Sequence, residues 1–196
     1  MKKYILLCAG ILFTIISNAQ SVKYGLTLGA NFTKVDGNGI KSSYYPGFIG
    51  GGFARIPLSE KWQLEPEVFV NFAHTKKADN FLELYNYNGY ANSDESIKLT
   101  YVSIPVLVGY KVSKLITIDA GPQCNILAYD NEDLLQDNKK AFKPADLSAT
   151  AGVELNLTGV RVFADYALGV TNVNNIDERY KWYNRQAYIG FNFNIL

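Results

Sequence analysis

The sequence is short of the residues that do most protein chemistry. Among its 196 residues are one His, one Met and two Cys. Cys8 lies in an N-terminal apolar run, so its removal with that run leaves Cys124 without a partner. That excludes an intramolecular disulfide or a Cys-based metal site in the mature chain. An excess of one charge sign is also missing, since 19 Lys and Arg face 18 Asp and Glu. A nucleic-acid-binding domain would carry a basic excess, so no nucleic-acid partner is expected. Beyond the leader no apolar stretch approaches the ~18–20 residues that cross a bilayer as a helix, and no segment has helical periodicity. Gly-x-Ser-x-Gly, His-Glu-x-x-His, Cys-x-x-Cys and the P-loop are all absent, so no catalytic, metal or cofactor residue is assigned.

What is present starts with an export signal. Lys2 and Lys3 form a positive n-region, Tyr4 to Ile16 is nearly unbroken apolar sequence, and Ser17-Asn18-Ala19 fits a small-x-small cleavage site. Residues 1–19 are read as a cleaved signal peptide and 20–196 as one domain. Cys8 sits too early in the run to carry a lipid.

The rest of the chain alternates with period 2, the signature of strands with two unlike faces. Eight such segments follow one another. In the first, Tyr24, Leu26, Leu28, Ala30 and Phe32 oppose Lys23, Gly25, Thr27, Gly29 and Asn31. In the third, Trp62, Leu64, Val68, Val70 and Phe72 oppose Gln63, Glu65, Glu67 and Asn71. In the last, Ala187, Ile189, Phe191, Phe193 and Ile195 oppose Gln186, Tyr188, Gly190, Asn192 and Asn194. Segments of this length match the ~9–11 residues of a tilted transmembrane strand and exceed the ~5–6 usual in soluble proteins. Pro66, Pro105 and the Gly50-Gly51-Gly52 run break the pattern, and bulges are expected there.

Connections alternate strictly between tight (Pro57 to Lys61, Ser113-Lys114, Thr158-Gly159) and long (Thr33 to Pro46, His74 to Ser96, Leu127 to Asp146, Asn172 to Asn184). All long loops then gather at one end and all tight turns at the other, the asymmetry of outer-membrane barrels. The opposite face is rich in Gly, Ser, Thr and Asn, which suits a narrow lumen better than a solvated exterior. Aromatics near strand ends, Tyr24, Trp62, Phe72, Tyr101, Tyr110, Tyr166, Tyr183, Phe191 and Phe193, fit interfacial girdles. The fold expected is all-β, a closed eight-stranded antiparallel up-and-down transmembrane barrel in outer-membrane lipid, exported through the leader. The competing reading is a soluble, exported lipocalin-like carrier with the apolar face inward.

Two groups of residues are singled out. Arg55, Glu65, Glu67, Lys111, Asp119, Glu154, Arg161 and Asp165 should face the lumen as a charge network, because an eight-stranded barrel is just wide enough to fill with side chains and enclosed charges must pair. A filled lumen is a plug; a small conduit is the alternative. Tyr85, Tyr87, Tyr90, Tyr180, Trp182 and Tyr183 lie in long loops among Asn, Ser and Gly, and are candidate contacts for a protein or glycan at the cell surface; interfacial anchoring uses the same side chains. His74, at the start of the longest loop, is a candidate general base for a lipid-modifying enzyme, set against a solvated residue at the membrane rim. Asp130-Asn131-Glu132-Asp133 and Asp177-Glu178 are hydrated acidic loops or oxygen ligands for Ca²⁺.

The stretches Leu64-Glu65-Pro66-Glu67, Tyr101-Val102-Ser103-Ile104-Pro105-Val106-Leu107-Val108-Gly109-Tyr110, Ala120-Gly121-Pro122-Gln123 and Asp146-Leu147-Ser148 running into Gly152-Val153-Glu154-Leu155 resemble, in this order, the PorT family of outer-membrane β-barrels. The resemblance covers almost all of the mature chain. It implies an integral barrel of the Gram-negative outer membrane; with the catalytic signatures absent, the role expected is non-enzymatic, structural or interaction-based, in secretion or envelope integrity. The family's namesake is implicated in type IX secretion, so a secretion-system protein is an implied partner. The terminal Tyr188-Ile189-Gly190-Phe191-Asn192-Phe193-Asn194-Ile195 looks like the strand signal read by the barrel-assembly machinery, although the chain ends on Leu196 and not on Phe.

Overall fold

The computed structural model describes residues 22–85, 96–130 and 141–195. The leader and its cleavage site lie outside these residues. Eight antiparallel strands close in chain order: β1 (Lys23–Asp36), β2 (Tyr45–Pro57), β3 (Trp62–Lys76), β4 (Ser96–Lys111), β5 (Ile116–Asp130), β6 (Ala145–Asn156), β7 (Val160–Gly169) and β8 (Tyr183–Asn194). The last strand pairs with the first from Gly25↔Asn194 to Asp36↔Tyr183. Closure removes both sheet edges and satisfies the backbone groups that hydrocarbon would leave unpaired.

The apolar face points outward. Leu26, Val68 and Val106 are 49%, 53% and 36% exposed, while the alternating Thr27, Asn31 and Asn71 are fully buried. That orientation fits lipid outside and polar groups inside, and is the reverse of a lipocalin. At the turn end Ser113 Oγ accepts from the backbone N–H of Leu115 and Ile116 at 3.2 and 3.1 Å. Gly159 turns the β6–β7 connection at φ 85°, a left-handed conformation that favours glycine.

Four expectations are corrected. The bulges at Pro66, Pro105 and Gly50 to Gly52 do not form. Pairing lapses beside each proline and resumes in the same register, and Gly50 to Gly52 pair without slip on both sides. Each lapse spans two residue positions and no residue is inserted. The register shift lies instead at Thr100/Tyr101, between β4 and β5. His74 is not a loop residue, because β3 runs on to Lys76 and β4 begins at Ser96. A short helix, α1 (Phe81–Tyr85), stands where no helix was expected. Tyr101 leaves the expected outer girdle, since its ring is buried on the lumen side.

Candidate functional site

The lumen is filled in layers from the loop end to the turn end. The uppermost layer is apolar. Val35, Ala73, Ile97, Leu99, Tyr101 and Leu127 point inward from the strand ends and pack with Ile40, Phe81, Tyr85, Phe142, Val173 and Trp182 from the loops. Trp182 is fully buried. Its ring meets Tyr85 at 5.8 Å edge to face and Phe142 at 5.3 Å. Its Nε1–H donates to the Asn38 carbonyl at 3.0 Å, and the Tyr85 hydroxyl donates to the same oxygen at 3.1 Å. Gly39, at φ 85°, turns the chain beneath these rings, and a Cβ there would press on Tyr85 at 2.8 Å. Bridges Ile40↔Lys77 and Phe142↔Asn174 tie the loops together. The loops thus form a cap with its own core.

A layer of amides and hydroxyls lies below. Asn31 donates to Asn71, and Asn71 donates to Gln186 Oε1 at 3.1 Å. Gln123 donates to Asn125 Oδ1 at 2.7 Å and to the Tyr188 hydroxyl at 3.0 Å. Ser103 donates to Asn125 at 2.8 Å, and Thr150 to Gln123 Oε1 at 3.0 Å. Strands from all sides of the barrel are joined through side chains alone. Beneath them Ile49, Phe69, Phe163, Ala167 and Tyr188 form a small apolar cluster.

The charged layer follows. Arg55 donates through Nη2 to both carboxylate oxygens of Glu154, at 2.8 and 2.7 Å, and through Nε to Glu65. Arg161 Nη1 reaches Glu154 at 3.2 Å and Glu65 at 3.3 Å, and its guanidinium carbon lies 4.6 Å from the centre of the Phe53 ring. Two arginines and two glutamates from β2, β3, β6 and β7 therefore share one ion cluster. Glu67, Asp119 and Asp165 sit around the same small void and make no ion pair with either arginine. Asp119 and Asp165 flank Gly152 across the sheet, and each leaves one buried carboxylate oxygen without a hydrogen bond. Lys111 stands apart, on the rim of a cavity of about 430 Å³ open at the turn end. Lys23, Lys114, Asn156 and Asn194 share that vestibule with the outer faces of Arg55 and Arg161. The two voids between the layers hold only about 10 Å³ each, room for about one water.

The aromatic loop residues are placed differently from expectation. Tyr85 and Trp182 are buried in the cap and are not on the open surface, because their rings supply its core. Tyr180 and Tyr183 are half-buried, Tyr180 against the cap and Tyr183 beneath Arg185. Tyr87 and Tyr90 lie outside the described residues, as do Asn131, Glu132 and Asp133. Arg179 donates to Asp177 Oδ2 through Nη2 at 2.7 Å and Nε at 2.8 Å. His74 faces outward, half-buried, in register with Lys98. Among the described residues no three His, Cys, Asp or Glu converge to hold a metal.

The cap was legible in one respect. Along β4 the inward positions change from Ser103 to Tyr101, Leu99 and Ile97, while the outward Lys98 replaces the valines. Polarity inverts where the strand leaves the hydrocarbon.

Comparison with known proteins places this geometry. The family model described as "Outer membrane protein beta-barrel domain" matches residues 18–175. No curated protein matches the chain. Among solved structures, Neisserial surface protein A is 12% identical, with 89% of this chain and 99% of its own covered and a TM-score of 0.52. Ail, the attachment invasion locus protein of Yersinia pestis, is 14% identical, with 89% and 100% covered and a TM-score of 0.47. The likeness to Neisserial surface protein A is one of fold.

Proposed function

Because the chain belongs to the outer membrane protein beta-barrel domain family, we propose that it is a closed, non-enzymatic barrel of a Gram-negative outer membrane. It is exported by its N-terminal leader, inserted by the barrel-assembly machinery, and has a structural or interaction role. The observation that carries this reading is the filled lumen. An ion cluster, an amide network and an apolar cap stack along the bore, and the two voids seen between these layers, about 10 Å³ each, are too small to conduct. A barrel that does not conduct acts through its surfaces, and the cap gives this one a preorganised outer surface. A partner in a secretion system follows from the PorT-like motifs, and capture of secretion components from detergent extracts by the tagged barrel tests that link.

Reconstitution in planar bilayers tests the plug. The intact barrel gives no stable single-channel current; large, persistent currents overturn the reading. The enzymatic alternative makes a different demand. If His74 were a general base, His74→Ala would change the cell's lipid A profile, and the proposal expects an unchanged one.

A further inference from the structure

The outward faces of the strands are not equivalent at the loop end. Toward the loops, four strands run through apolar residues and step onto a cation at the next outward position or the one after. On β1 Ala30 and Phe32 give way to Lys34, and on β8 Phe191, Ile189 and Ala187 give way to Arg185. On β3 Val70 and Phe72 give way to His74 and Lys76, and on β4 Val106, Ile104 and Val102 are followed by Thr100 and Lys98. Lys34 is directly in register with Arg185, and Lys98 with His74. These strands, with β2 between β1 and β3, are contiguous around the barrel. Within their strands β5, β6 and β7 carry no Lys or Arg on this face and end on the exposed Tyr129, Ala145 and Leu168, with Lys143 lying two residues outside β6. The cations therefore form an arc and not a ring.

The arc is built and positively charged. Asp36 is shared by Lys34 at 2.9 Å and Arg185 at 3.4 Å, so one carboxylate serves two cations. Lys34 lies over Tyr44, Lys76 over Tyr45 and Arg185 over Tyr183, with the charged group 5.3–5.8 Å from each ring centre. The Tyr44 and Tyr166 hydroxyls meet at 2.8 Å. Rings and hydrogen bonds hold the long cationic side chains close to the sheet. The arc stands just above an apolar belt, at the depth where a leaflet's headgroups lie, and tyrosine with Lys and Arg is the composition that anchors at that depth.

We propose that this arc, on the outward face of β8 through β4 at the loop end, docks a lipid with a phosphorylated headgroup in the outer leaflet. The phosphates meet Lys34, Lys76, Lys98 and Arg185, and the acyl chains lie on Phe32, Phe48, Val70 and Phe72. The proposal rests on the barrel's outer-membrane insertion with its loops outside, and adds the lipid class and the side of the barrel.

The test uses the full barrel in phosphatidylcholine nanodiscs doped equally with bisphosphorylated lipid A and its dephosphorylated form. Lipid retained on the released barrel is read by native mass spectrometry. The wild type retains the phosphorylated form in about tenfold excess, from roughly the attraction of one to two surface cations. Lys34→Gln/Lys76→Gln/Arg185→Gln abolishes the excess, and Lys61→Gln/Lys114→Gln at the turn end leaves it. Equal retention of the two lipids by the wild type, or an undiminished excess in the triple variant, overturns the proposal. So does complete displacement by millimolar inorganic phosphate, which would make this a site for a free anion. If the triple variant does not fold, the wild type alone decides, since an excess that is insensitive to ionic strength contradicts a phosphate–cation contact. Insertion is scored separately by the heat-modifiable band, so a lost preference in a folded barrel is distinct from a failure of the membrane reading.

Discussion

Arg55 of β2 and Glu154 of β6 meet across the bore, with one guanidinium nitrogen 2.8 and 2.7 Å from the two carboxylate oxygens. The two strands lie on opposite walls, four apart in either direction around the barrel. The pair is thus a crossbar, and Glu65 and Arg161 complete it from β3 and β7. Breaking a buried pair from one side leaves an uncompensated charge and costs about 3–5 kcal/mol. Arg55→Met is expected to lower barrel stability by that order, read as a fall in the urea midpoint of the heat-modifiable band. A loss of well under 1 kcal/mol would mean that the cluster is water-filled and the crossbar carries no load.

The carboxylates around the crossbar outnumber the arginines. Asp165 faces Asp119 across Gly152, and a buried oxygen of each has no donor. Asp165→Asn replaces a carboxylate with an amide of the same shape and supplies two donors. The variant is expected to be more stable than the wild type by about 0.5–2 kcal/mol, the range of a single optimised charge. Denaturant titration of both proteins in the same micelle checks the sign, and a destabilised variant would show that Asp165 is held by an interaction its charge requires.

The cap is a separate packing unit, and Trp182 is its keystone, touching Tyr85, Phe142 and the Asn38 carbonyl. Truncating a buried Trp costs about 3–5 kcal/mol where the site does not collapse. In Trp182→Ala that loss falls on the loops, because the strands below are joined by their own ladders and side-chain network. Limited proteolysis of the intact barrel in detergent is expected to cut the loops of the variant at least tenfold faster, with the heat-modifiable band preserved. Equal cleavage rates would show that the loops do not depend on this core.

The barrel itself was readable because one physical rule runs the length of the chain. Leu26, Val68, Val106 and Val162 sit at outward positions and Thr27, Asn71 and Ser103 at inward ones, and no tertiary knowledge is needed to separate them. The layers of the lumen were harder to read. Alternation gives the wall on which Arg55 or Glu154 sits, while their meeting depends on barrel stagger, which no single strand encodes. The strand ends were misread for a more specific reason. Past Phe72 and Val102 the outward residues become His74 on β3 and Thr100 then Lys98 on β4, and a stretch such as His74 to Ser96 looks like polar loop when judged by composition. Judged by parity, Ala73 and Thr75 continue inward against Ile97 and Leu99. The same inversion that hides the strand ends builds the cap on one face and the cationic arc on the other.

Position along that alternation makes the last prediction. Val68 lies mid-strand on the outward face of β3, and His74 lies six residues nearer the loops on the same face. If hydrocarbon surrounds the barrel, a lysine costs about 2–4 kcal/mol near the midplane and about 0–1 near the interface. Val68→Lys is therefore expected to lose at least 1 kcal/mol more than His74→Lys, measured as folding free energies into bilayers of one lipid composition. Water around the barrel would remove the depth dependence, and the two lysines would then differ only by local packing. Equal costs at the two positions would take the lipid away from the exterior and the membrane reading with it.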